Sequence, residues 1–287
     1  MAIYKRGYRA WTGPLTPEWS RFLVVSRYAW RGLFRSRLLT AFFVLCFFYP
    51  VGAIATLYIN HSPSVLSTFN LGGQRSLMEI SGQFFLIFLS VQGTLAFFLA
   101  TFVGPGLVSP DLANGALPLY LCRPFSRAEY VLGKMSVQFL LLSLVTWAPG
   151  VLLFFLQSTL EGAGWMNANW WILRALLLGS LVWILVLSLL TLALSAWVKW
   201  KIAAAGLMLA IVFIGAGFAQ AINNILRTSS GTVVDIGSLI TRVWCSLFRV
   251  DSNVQLSPAV AWNALLTISG LCLLLLTKKL RAYEVVK

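Results

Sequence analysis

Along most of this chain apolar residues run unbroken rather than alternating with polar ones. Six runs, at residues 39–59, 84–108, 137–156, 172–197, 202–222 and 258–277, each carry about 20 residues with almost no charge, the length an α-helix needs to cross the hydrocarbon core of a bilayer. In lipid the backbone polar groups of such a run must be satisfied internally, which a helical ladder does. The pattern predicts an all-α integral membrane protein with six transmembrane helices spanning 39–277, preceded by an interfacial segment, 1–38, and followed by a short tail, 278–287. The first run begins behind a basic, aromatic segment and has no small-residue cleavage site, so the N-terminus is expected to be retained rather than removed as a signal peptide.

Two stretches outside the runs have helical periodicity instead. Thr16-Pro17-Glu18 is a helix start, with a cap, Pro at the first position and an acid in the first turn. Beyond it Trp19, Phe22, Leu23, Ser26, Trp30 and Leu33 gather on one side, and Arg21, Arg27, Arg31 and Arg35 on another. This predicts a basic amphipathic helix on a membrane surface, where arginine gains from anionic lipid; flanking charge that only fixes topology is the alternative. In the connection at 223–257, Ile236, Leu239, Ile240, Val243, Trp244, Leu247 and Phe248 recur opposite Ser238, Thr241, Arg242, Ser246 and Arg249. That pattern fits an outer helix at the interface or over the mouth of a pathway, and equally one that only contacts lipid.

The connection at 109–134 is denser in signals. Ser109-Pro110-Asp111 reads as a cap, a first-turn Pro and an acid at the positive end of the helix dipole. The helix is expected to reach about Leu121, bent at Pro118, and to stop at Arg123-Pro124. Ser126-Arg127-Ala128-Glu129 then forms a capping box that starts a helix through Lys134 into the third run. Leu117, Leu119, Tyr120, Leu121 and Phe125 make an apolar surface beside Arg123 and Arg127, suited to docking on a soluble partner or to resting on headgroups.

Composition narrows the reading. The chain is 59% hydrophobic and 10% charged with mean hydropathy +0.83, which excludes an ordinary soluble domain. Its net charge of +14 would suit nucleic acid only if gathered on one soluble face; here the cations sit between apolar runs, and no nucleic-acid partner is expected. Placing both termini in the cytoplasm puts 17 Lys and Arg inside and 5 outside, so the positive-inside rule favours N-in, C-in and a cytoplasmic 109–134. Cys46 and Cys272 fall inside runs, Cys122 inside the cell and Cys245 outside, which gives neither zinc-ligand spacing nor a disulfide pair. The centres of the runs hold no ionisable side chain and His61 is the only histidine, so buried acid-base chemistry, a metal site and a catalytic triad are disfavoured. Leu71-Gly72-Gly73-Gln74-Arg75 is similar to the Leu-Ser-Gly-Gly-Gln signature of ABC ATPases but lacks the Ser, and no phosphate-binding Gly-x-x-x-x-Gly-Lys loop exists in the chain. No catalytic, cofactor or metal site is expected. Ala203, Gly206, Ala210, Gly217 and Ala221 form a small-residue stripe on the fifth run, open to a homodimer seam or to intrachain packing.

In 109–134, Asp111, Gly115, Leu117, Leu121, Pro124, Ser126, Arg127, Glu129, Gly133 and Lys134 follow one another in an order that resembles the first cytoplasmic loop of permease subunits of type-2 ABC exporters. The family also has six spans, an N-terminal amphipathic connecting helix and outer helices before the last span. Its charged cluster ahead of the Gly is reduced here to Asp111-Leu112-Ala113-Asn114. The resemblance implies that 109–134 is a coupling helix docking on a separate nucleotide-binding ATPase through Asp111, Gly115, Leu117, Tyr120, Leu121, Arg123, Pro124, Ser126, Arg127 and Glu129. It implies ATP and Mg on that partner, a second permease copy (a homodimer, or a heterodimer), surrounding lipid, a bacterial inner membrane and ATP-driven export. The alternative within the resemblance is a non-transporting permease-like subunit that passes ATP-driven motion to an extracytoplasmic partner.

Overall fold

The computed structural model describes residues 17, 20–62, 80–116 and 126–281. Among them every regular element is a helix: α1 Arg21–Leu33, α2 Arg37–Leu45, α3 Phe48–Asn60, α4 Gly82–Val103, α5 Pro105–Ala113, α6 Arg127–Val145, α7 Trp147–Glu161, α8 Ala163–Trp197, α9 Lys201–Leu226, a 3-10 turn at Ser230–Val234, α10 Ile236–Leu247 and α11 Pro258–Arg281. Six stretches, Arg37–Asn60, Gly82–Ala113, Arg127–Glu161, Ala163–Trp197, Lys201–Leu226 and Pro258–Lys279, are long and apolar enough to cross a membrane. This is the architecture of a multi-pass membrane protein.

The first three spans are each broken, and a proline stands at each break. Pro50, in the first turn of α3, cannot donate to the carbonyl four residues back, that of Cys46, where α2 ends. Gln92 of α4 donates its Nε2 to that carbonyl at 3.1 Å, so the gap in one helix is closed by a buried side chain of another. Pro105 opens α5 behind Gly104, and a side chain at Gly104 would collide with Thr191, whose Cβ would lie 2.5 Å from the added carbon. The second span therefore bends where it packs on Thr191 of α8. Pro149 follows the break at Thr146, whose own hydroxyl donates to the Leu142 carbonyl at 2.8 Å.

Span four has no proline and forms one 35-residue helix, α8. It is the hub, packed on α4, α5, α6, α7, α9, α10 and α11. The sequence suggests a loop between 156 and 172; instead α7 and α8 run on to Gly162, which alone turns the chain at φ 93, ψ 174, a backbone region essentially restricted to glycine. His61 ties α3 to the same end: its Nδ1 donates to the Leu57 carbonyl at 2.9 Å and its Nε2 faces Glu161 at 3.3 Å.

α1 turns Phe22, Ser26, Trp30 and Leu33 toward the bundle and leaves Arg27, Arg31 and Arg35 exposed, as its periodicity indicates, while Leu23 remains 47% exposed. Trp19 and the Arg21 side chain lie outside the described residues. The helix is docked on protein: Ser26 Oγ donates to the Gly133 carbonyl at 2.9 Å and meets Ser136 Oγ at 2.7 Å. A Cβ at Gly133 would lie 2.9 Å from the Phe22 carbonyl, so the missing side chain permits this approach.

α10 forms where its pattern indicates, capped by Asp235 on the Gly237 amide at 3.0 Å. Its apolar face is buried in the chain, with Ile236, Leu239, Ile240, Val243 and Trp244 covered by α8, α9 and α11, which corrects the reading of that face as lipid contact alone. Cys245, expected on the outer side, is buried at 5% exposure.

Candidate functional site

α5 and α6, which bracket residues 114–126, are fastened to each other at their near ends. Asp111, in the last turn of α5, lies 2.8 Å from the Lys134 ammonium and accepts from the Tyr130 hydroxyl through the same oxygen at 2.8 Å. Tyr130 and Lys134 are four apart on α6 and so share a face; the ammonium also stands 5.6 Å over the tyrosine ring. The Lys134 side chain is 9% exposed and that of Asp111 18%. Neither charge would be held there alone, because desolvating an unpaired ion costs several kcal/mol.

The clasp is anchored on both sides. Ser109 donates its hydroxyl to the carbonyls of Val198 at 2.7 Å and Ser195 at 3.2 Å, fixing α5 to the end of α8. This corrects the reading of Ser109-Pro110 as a helix start: both residues lie inside α5, Pro105–Ala113; after a turn at 114–115 the chain is helical again at Ala116, and the end expected near Leu121 lies outside the described residues. On the α6 side the capping box is present, Ser126 Oγ accepting from the Glu129 amide at 3.2 Å and Glu129 accepting from the Ser126 amide at 2.6 Å.

Among the remaining coupling residues, Gly115 turns the chain at φ 63 and is exposed, and Arg127 opens α6. Leu117, Tyr120, Leu121, Arg123 and Pro124, like Cys122 and the Pro118 bend, lie outside the described residues. One Asp111 carboxylate oxygen is engaged by Tyr130 and Lys134. Reading by motif order missed that pairing. Its signal was a lysine one helical turn after a tyrosine in a helix entering an apolar run, with one acid in the preceding segment. In the α9 stripe, Ala203, Gly206, Gly217 and Ala221 are exposed and Ala210 half-buried. A Cβ at Gly206 or Gly217 would meet nothing within 4 Å, so within the described residues that stripe is not an intrachain packing face.

At the opposite end, a cleft of about 380 Å³ opens between α4, α8, α9 and α10. Phe97, Phe98 and Phe213 line it with Ser90, Thr94 and Thr241. Its inner wall is the perpendicular pair Trp183 and Trp244, 6.0 Å between centroids, with the indole N–H groups donating to the carbonyls of Gly93 at 2.8 Å and Gly179 at 3.0 Å. Aromatic walls with hydroxyls and no charge suit an apolar or weakly polar molecule. Among the described residues no three His, Cys, Asp or Glu gather as a metal site.

No protein-family model matches the chain, and no curated protein does.

Proposed function

We propose that this chain is the transmembrane permease subunit of an ATP-driven exporter of the type-2 ABC kind, working in a bacterial inner membrane. Residues 109–134 would meet a separate nucleotide-binding subunit, which carries ATP and Mg. The observation that carries the reading is the clasp. With Asp111 held to Lys134 and Tyr130, and Ser109 held to the end of α8, a push on the connecting segment is borne by spans two, three and four together. A connection that served only as a tether would need no buried ion pair at its base.

On this reading the free energy for transport comes from the partner, and the pathway is shaped rather than charged; the uncharged aromatic cleft is consistent with that. The exposed α9 stripe supports a second permease copy beside span five. Reversing Arg123 or Arg127 to Glu tests the docking surface: ATP hydrolysis by the assembled complex should lose its dependence on transport substrate, whereas ordinary coupling in both variants counts against the assignment.

A further inference from the structure

At the clasp end an open cavity of about 530 Å³ is lined by the C-terminal half of α1, the start of α2, the α4–α5 bend, Lys134 of α6 and the start of α9. Its charged lining side chains are both cationic, and the hydroxyls of Ser36 and Thr101 are engaged with helix backbone. Lys134 and Lys201 both line it, and Lys134 is the one already balanced, by Asp111. Lys201 forms no ion pair among the described residues. Its side chain is exposed and lies along Gly106, where a Cβ would stand in ordinary contact, 3.5 Å from the ammonium.

Two helix starts converge on the same space. Lys201 is the first residue of α9, and Trp200 before it supplies no side-chain cap, so first-turn amides of α9 are left without a partner at a lining position. Ser36, also in the lining, caps α2. A cation at the positive end of a helix dipole is unfavourable unless an anion joins it. The rim is apolar and open: Ile202 is 88% exposed, Leu38 67% and Phe102 39%. An exposed lysine outside any ion pair, at an uncapped helix start beside exposed apolar residues, selects for an anion attached to hydrocarbon.

We propose that this cavity holds the phosphate headgroup of an anionic membrane lipid, with Lys201 and the first turn of α9 meeting the phosphate and Leu38, Phe102 and Ile202 meeting the acyl chains. Lys134 contributes field from the cavity wall while remaining paired with Asp111. The bound lipid would brace α1, α2 and α9 against the bend in span two. The inference rests on the membrane architecture alone and stands whether or not the chain serves a transporter.

The test is native mass spectrometry of the full chain in mild detergent, titrated with phosphatidylglycerol or with phosphatidylcholine of the same acyl composition. Phosphatidylglycerol should be retained about fivefold more tightly, and Lys201→Gln should remove that preference. Lys201→Arg should preserve it, as should Lys278→Gln, which removes an exposed charge near the end of α11 outside the cavity. Excess inorganic phosphate should leave the lipid in place. Equal retention of the two lipids, or a Lys201→Gln protein indistinguishable from wild type, would overturn the proposal. Displacement of the lipid by inorganic phosphate would make the site one for a free anion and overturn the lipid assignment.

Discussion

Removing either charge at the clasp leaves the other nearly buried with no ionic partner. Asp111→Asn or Lys134→Met should each lower stability by about 3 kcal/mol, whereas the double replacement by Leu and Met should recover much of that loss, because no uncompensated ion remains. Thermal unfolding in detergent of the singles and the double reads this directly; equal losses that simply add would show that the pair is not coupled. Tyr130→Phe removes one hydrogen bond and leaves the ring under Lys134, so its cost should be smaller, about 1 kcal/mol. At this scale the sequence was half legible. The Ser126–Glu129 capping box could be read because every one of its bonds is local. The Asp111–Lys134 pair could not, because it depends on how two helices leave the bundle, and no spacing rule fixes that. Ser109 was misread for the same reason: Ser before Pro is a cap signature only where the preceding chain is not already helical, and here α5 starts at Pro105.

Among the elements, the breaks at Pro50, Pro105 and Pro149 decide how the first three spans fit around α8. The Cys46 carbonyl freed by Pro50 is satisfied by Gln92, so Gln92→Leu should cost about 1 kcal/mol in the native chain. It should cost less in a Pro50→Ala background, where residue 50 regains an amide to give; an unchanged cost there would show that Gln92 stabilises the fold some other way. The wedging of α10 gives a second prediction. Trp244 lies where a Cβ at Gly93 would be 2.5 Å from its ring and one at Gly179 2.9 Å. Gly93→Val or Gly179→Val should expel the indole, and Trp244→Ala should destabilise by about 3 kcal/mol; increased protease cleavage near 228–235 would report release of α10. The sequence located all six apolar stretches because length and hydropathy alone define them. It placed their ends poorly, since amphipathic turns such as those around Trp165 and Tyr130 continue a helix beyond its apolar part, and a single glycine, Gly162, can replace a loop. The periodicity of α10 was plain, but whether protein or lipid covers its apolar face depends on Gly93 and Gly179 in other helices.

For the whole molecule, alternating spans carry Arg37, Lys134, Lys199, Lys201 and Lys278 to the clasp end, and Glu161, Asp235 and Asp251 to the other. If the clasp end is cytoplasmic, as the positive-inside count expects, Asp251→Cys in a background without native cysteines should react with a membrane-impermeant maleimide on intact cells. Lys199→Cys should react only after permeabilisation; both positions are exposed, unlike Cys245. The reversed pattern would invert the orientation. The proposed function requires drive by a separate ATPase docked at 109–134. Its most direct test is purification of the tagged chain under native conditions from the membranes of cells expressing it with its neighbouring genes, followed by an assay of ATP hydrolysis. A distinct ATPase should co-elute in about equal amount and be lost or uncoupled when Arg123 and Arg127 are both reversed to Glu. A chain that elutes alone and without ATPase activity, or a complex indifferent to those reversals, would contradict it.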